Sequence, residues 1–125
     1  MLSEHFSEFE MCCHHCGQLP SGGISSVLLS KLELLRARLG TPIIVTNAYR
    51  CPTHNANVGG VWNSQHVKGT AADIWAPGYS VDALANAAAE VGFDGVGRYY
   101  RQQFVHVDVR DGGESPNYYT WTDFD

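Results

Sequence analysis

Ser64-Gln65-His66-Val67-Lys68-Gly69-Thr70-Ala71-Ala72-Asp73 sets a histidine and an aspartate on either side of a glycine. Gly69 permits a tight turn, and the small Ala71 and Ala72 leave room for backbone to pass close to a bound ion. His66 then approaches from a loop, while Asp73 comes from the strand beyond it. This spacing alone is a weak signal in a chain with six histidines, so the flanking sequence carries the argument.

The second informative stretch is Phe104-Val105-His106-Val107-Asp108-Val109. Valines at alternate positions predict a strand with Val105, Val107 and Val109 in a core and His106 and Asp108 together on the other face. A water-facing strand would ordinarily carry Lys, Thr or Glu there. A histidine two residues from an aspartate is instead an arrangement for metal binding or acid/base work.

Working outward, Ser7-Glu8-Phe9-Glu10 fits a capping box before a short helix. Leu28, Leu32, Leu35 and Leu39 recur at helical spacing between a capping Ser25 or Ser26 and a closing Gly40, which predicts an amphipathic helix from Ser25 to Leu39. Ile43-Ile44-Val45-Thr46 reads as a central strand leading into Asn47-Ala48-Tyr49-Arg50. Residues 51–64 hold too many turn formers for a regular element and read as a long functional loop. Ala71 to Trp75 is a second strand, and a helix from Val81 to Val91 follows with Ser80 as cap and Gly92 past its end. Val96 to Tyr100 and Phe104 to Val109, separated only by Arg101, Gln102 and Gln103, predict an antiparallel hairpin. The Gly-, Pro- and Asn-rich tail from Asp111 reads as partly mobile. The expected fold is a single α+β domain over residues 1–125, a small, mostly antiparallel sheet packed against two main helices.

A chain of 125 residues, 44% of them apolar, supports one core. Thirteen acidic against eight basic side chains, a formal charge of −5 with no basic run, exclude an electrostatic grip on nucleic acid or anionic lipid. No stretch approaches the roughly 18 to 20 consecutive apolar residues of a spanning helix, so membrane insertion is not expected. The start, Met1-Leu2-Ser3-Glu4-His5, lacks the basic and apolar regions of a signal peptide. A cytoplasmic product is expected, reaching any substrate beyond the inner membrane by lysis, a holin-type pore or a delivery machine such as a phage tail.

Cys12, Cys13, Cys16 and Cys51 admit three readings: a structural zinc site built on Cys12-Cys13-His14-His15-Cys16, a disulfide from the N-terminal segment to Cys51, or free thiols. The zinc reading wants a second ligand pair after a spacer of about a dozen residues, and no second pair exists. Trp62, Trp75 and Tyr99 are candidates to line a groove, with core or rim as the ordinary alternative. His5, His14, His15 and His54 read as surface residues without a partner.

The pattern S-x-H-x-x-G-x-A-x-D, met by Ser64, His66, Gly69, Ala71 and Asp73, together with the H-x-D strand of His106 and Asp108, resembles the zinc D-alanyl-D-alanine carboxypeptidases and the related peptidoglycan L-alanyl-D-glutamate endopeptidases, whose fold the hedgehog signalling domain shares. The resemblance extends to Tyr49-Arg50-Cys51, Asn55, the Gly59-Gly60 turn and the segment from Phe9 to Cys16. It implies zinc held by His66, Asp73 and His106, with Arg50 and Ser64 near a substrate drawn from peptidoglycan stem peptides. Two imidazoles and a carboxylate leave a fourth position for water, as in catalytic rather than structural zinc sites. Arg50 could grip a substrate carboxylate with paired hydrogen bonds, its ordinary alternative being a surface arginine capping a loop.

One departure stands out. Relatives of this kind carry an acidic base three positions before the last histidine ligand, and here that position is Gln103. Asp108 becomes the expected base, with an orienting partner of His106 as the alternative role. The expectation is therefore a monomeric zinc metallopeptidase hydrolysing stem peptides, of the kind found as phage or prophage endolysins. The rival is a non-catalytic module that keeps its metal for stability or for binding wall or protein.

Overall fold

The computed structural model describes residues 2–60 and 64–123. Five strands form one sheet in the order β1-β2-β4-β3-β5. They are β1 (Ile44–Asn47), β2 (Ala71–Trp75), β3 (Gly95–Tyr99), β4 (Phe104–Asp108) and β5 (Tyr119–Asp123). The first four pair antiparallel, and β5 runs parallel to β3. The helices are α1 (Glu8–Met11), α2 (Ser26–Leu39), α3 (Pro52–Asn57) and α4 (Val81–Val91). This is the expected α+β arrangement.

Local chemistry sets the helix ends. Ser7 Oγ accepts from the Glu10 amide, and the Glu10 carboxylate accepts from the Ser7 amide at 3.0 Å, closing the capping box of α1. Ser25 Oγ accepts from the Leu28 amide at 3.2 Å to start α2, and Gly40 ends it in the left-handed conformation at φ 68°. The four spaced leucines of α2 are all buried. Their face meets α4, which lies on β3 and β4. From the sheet, Ala72, Ile74, Val96, Val105 and Val107 complete the same apolar cluster. Each large side chain so buried contributes about 1.5–3 kcal/mol.

Three expectations need correction. The strand beginning near Ile43 lies at the sheet edge rather than its centre, because β2 inserts between it and β4. The stretch read as irregular loop contains α3, with Pro52 in its first turn, where a missing amide donor costs nothing, and Cys51 Sγ capping its start. The segment after Asp111 ends in β5, a strand that the Gly-, Pro- and Asn-rich composition before it conceals.

The chain returns to form β5 because of a buried carboxylate. Asp94, fully inaccessible, accepts backbone hydrogen bonds from Asp111 (2.9 Å), Gly113 (2.8 Å) and Ser115 (2.8 Å). The Asn117 amide then donates to Phe93 O and the Tyr119 amide to Asp94 O, which starts the parallel ladder. Among the described residues no helix is long and apolar enough to cross a membrane. Asp94→Ala would strand three amide donors and is expected to cost about 3 kcal/mol or more. Urea denaturation should show that loss, and hydrogen exchange should show the Asp111, Gly113 and Ser115 amides losing protection.

Candidate metal centre

Because the valines of β4 are committed to the helix side, the opposite face of the sheet carries the chemistry. Asp73 on β2 sits directly opposite His106 on β4, and His106 opposite Gly97 on β3. His66 reaches the same place from the turn before β2, where Gly69 has φ +74° and a Cβ would strike Pro20. Ala71 shares the Asp73 face, whereas Ala72 belongs to the apolar core.

The outer nitrogen of each imidazole has a fixed partner. His66 Nδ1 lies 2.7 Å from Ala48 O, which can only accept, so Nδ1 carries the proton and Nε2 presents its lone pair. His106 Nε2 lies 2.8 Å from Asp108 Oδ2, which fixes that proton and leaves Nδ1 facing inward. His66 Nε2 and His106 Nδ1 then point at Asp73 Oδ1 from 3.3 and 3.1 Å. Two lone pairs and a carboxylate oxygen, within 4.8 Å of one another, repel unless positive charge lies between them. This donor set fits a zinc ion with three protein ligands.

The titration tendencies carry the same message. Burial alone would raise the Asp73 carboxyl, but His106 and His66, which donate hydrogen bonds to it whenever they carry a second proton, outweigh burial and hold the group well below the usual carboxylate range. Burial would lower His106, yet its hydrogen bonds to Asp108 and Asp73 lift it above the ordinary imidazole value. Without a metal, the site draws a proton to where a metal would bring its charge.

These groups open into a cavity of about 660 Å³. Arg50 and Ser64 line it as expected, the Arg50 Nη2 donating to Ser64 Oγ at 3.3 Å. The same hydroxyl accepts from the His66 amide at 3.2 Å, so Ser64 fixes both the ligand turn and the arginine. Burial pulls the half-buried Arg50 guanidinium below its ordinary value, and its buried Nε–H has no hydrogen-bond partner among the described residues. Asn55, buried on α3, lies where a Cβ at Gly60 would collide with it, so the Gly59-Gly60 turn is shaped around its carboxamide.

Asp108 lies elsewhere. It is fully buried behind His106 and does not line the cavity. Its oxygens take His106 Nε2, the Arg110 amide, and Arg110 Nε and Nη2 at 3.0 and 2.7 Å. Burial would raise its carboxyl, but the bonds from His106 and Arg110 hold it well below the usual range. Gln103 also lies off the cavity, in the β3–β4 turn at φ 62°, donating to Tyr100 O. Tyr99 does line the cavity, while Trp75 belongs to a separate groove with Tyr79, and Trp62 falls outside the described residues.

Among the cavity residues that escaped the sequence reading are Arg110, Trp121 and Asp123. Trp121 lies 5.0 Å from the His106 ring and donates to the Tyr99 hydroxyl at 2.9 Å. Arg110 stacks over Tyr119 at 4.4 Å. The alternation Tyr119-Thr120-Trp121-Thr122-Asp123 was the available signal for a strand. Among the described lining residues, Asp73 and Asp123 are the carboxylates, and Asp73 is committed to the ligand set. His5, read as unpartnered, is bonded to Glu33 at 2.6 Å, and His15 stacks on His54.

Residues 4–108 match the model of the Peptidase M15 family. The chain belongs to that family. It is 40% identical over 90 residues to the zinc D-Ala-D-Ala carboxypeptidase of Streptomyces albus G, covering 69% of this chain and 35% of that protein. It is 33% identical over 89 residues to the peptidoglycan L,D-endopeptidase MepK of Escherichia coli K12, covering 66% of this chain and 49% of that protein. The chain thus spans between a third and a half of the length of these relatives.

The ligand assignment is open to direct measurement. His66→Ala is expected to lose one equivalent of zinc relative to the wild type by elemental analysis of purified protein. An unchanged content would place the metal elsewhere.

Proposed function

We propose that this chain is a zinc-dependent peptidase that hydrolyses peptide bonds in peptidoglycan stem peptides. The observation that carries the reading is the convergence of His66 Nε2, Asp73 Oδ1 and His106 Nδ1 at the wall of an open cavity that also holds Arg50. The family and the activities named for its two relatives support it. The substrate lies outside the inner membrane, and the role we assign is that of a phage or prophage endolysin, released by lysis or delivered.

Zinc bound there supplies a Lewis acid for the scissile carbonyl and an acidified water. Ser64 and Arg50 position the substrate, the guanidinium pairing with a carboxylate: the terminal one for carboxypeptidase action, that of D-glutamate for endopeptidase action. Asp123 takes the proton of the attacking water and returns it to the leaving amine. We give this role to Asp123 rather than to Asp108, since Asp108 lies behind His106 with its oxygens already taken. Asp108 instead holds the imidazole in the tautomer that turns Nδ1 inward.

The rival, a non-catalytic metal-bearing module, is favoured by the missing acid at Gln103. Asp123 lining the same cavity weighs against it. Release of new amino groups from purified peptidoglycan, abolished by chelator and restored by zinc, is the expected result. A protein that binds the wall without releasing them is the module. Mass spectrometry of the digested muropeptides assigns the bond cut.

Asp123→Asn should keep its zinc and lose about a hundredfold or more in turnover. Asp108→Asn should weaken zinc affinity by about ten- to a hundredfold and recover its rate in added zinc. Turnover across a zinc titration separates the two, and the opposite pattern would return the base to Asp108.

Arg50→Lys replaces a planar fork with a point charge. It should keep zinc and fold yet slow cleavage of substrates that bear the recognised carboxylate. An equal loss on the amidated substrate would make Arg50 a structural residue.

A further inference from the structure

The cysteines play no part in the chemistry above, yet the fold gathers them. Cys13, Cys16 and Cys51 place their sulfurs within 4.8 Å of one another. All are free thiols, Cys13 buried, Cys51 half-buried and Cys16 exposed. Cys12 is turned away, its Sγ bonded to Phe9 O.

The gathering joins Cys13 and Cys16 to Cys51, which opens a second two-residue interval that the sequence reading missed. Cys13-His14-His15-Cys16 is a C-x-x-C pair, and far downstream Cys51-Pro52-Thr53-His54 repeats the two-residue interval as C-x-x-H. Cys51 is the cap of α3 and His54 lies in that helix, its ring stacked on His15 at a centroid distance of 5.6 Å. Backbone amides already point at the sulfurs, Cys51 N to Cys13 Sγ at 3.3 Å and His54 N to Cys51 Sγ at 3.4 Å. Such N–H···S contacts stabilise sulfur in its thiolate form, the form that binds metal.

We propose that Cys13, Cys16, Cys51 and His54 bind a second zinc ion, structural in role and separate from the His66–Asp73–His106 centre. The three sulfurs stand ready, and the His54 ring turns from His15 to complete a tetrahedral Cys₃His set, a closed arrangement with no position for substrate. Binding releases the three thiol protons to solvent and involves no redox change. The ion would tie residues 13–16 to the start of α3. The neighbouring contacts already run the same way, Tyr49 N donating to Met11 O at 3.1 Å. Arg50 directly precedes Cys51, so the clip would hold the substrate-reading arginine in place.

The full chain, purified under reducing conditions, should contain two equivalents of zinc. A mercurial that modifies thiols should release one of them to a metallochromic dye and leave the other. His66→Ala should retain one equivalent, all of it released by the mercurial. Cobalt-loaded protein should show sulfur-to-cobalt charge-transfer absorption that is lost in Cys16→Ser. Because Cys16→Ser could fail to fold, the mercurial release from wild-type protein stands as the independent readout. No mercurial-releasable zinc, or a disulfide among these cysteines in metal-replete protein, overturns the proposal. Mercurial-releasable zinc in a protein that does not cleave peptidoglycan would uphold this site and refute the peptidase reading.

Discussion

The register of β2 against β4 is the constraint on which the site depends. Asp73 faces His106 across that pair, while Ala72 faces Val107 and Ile74 faces Val105. A slip of one residue would turn the ligands into the core and the valines into the cavity. Burial of the apolar set therefore fixes where Asp73 and His106 meet. It has to supply that stabilisation, because like-charged lone pairs brought together in a dry pocket oppose folding. The α2 leucines and the apolar face of α4 are remote from the chemistry and are still what hold it in place.

A second layer follows from two glycines on β3. A Cβ at Gly95 would fall 2.2 Å from Asp108 Oδ2, and one at Gly97 would fall 2.4 Å from the Trp121 ring. Their bareness gives Asp108 its place behind His106 and lets the indole lie across the sheet. Trp121 gets there only because Asp94 gathers the loop before β5. A buried carboxylate at the far end of the sheet thus decides whether the cavity has its aromatic wall and its second carboxylate.

Elements with a strong period were legible in sequence. The leucines of α2, the capping box of α1 and the alternation of β4 all rest on local rules, and the structure keeps them. The convergence of His66, Asp73 and His106 was legible from their motifs. What escaped depends on contacts between distant segments. A short helix capped by a thiol and opened by proline looks like loop by composition, and β5 follows a run of turn formers that only Asp94 explains. His106 and Asp108 do share a strand face, as alternation requires, but sharing a face does not tell which of them meets the cavity. Arg110 settles that by holding Asp108 from behind with two guanidinium hydrogen bonds. The approach of Cys51 to Cys13 and Cys16 was hidden for the same reason, since only the fold brings them together.

Two arginines line the cavity, and their circumstances differ. Arg110 has two guanidinium nitrogens on Asp108 and its plane on Tyr119, so its charge is largely neutralised. Arg50 bonds through Nη2 to a neutral hydroxyl and keeps a buried Nε–H unsatisfied. A buried donor left without a partner costs about 1–3 kcal/mol. An incoming carboxylate in the plane of that fork would recover the cost and add a charge-assisted pair. Among the described residues the Arg50 fork is thus left with a donor that a carboxylate in its plane would complete, and Ser64 ties that fork to the His66 turn.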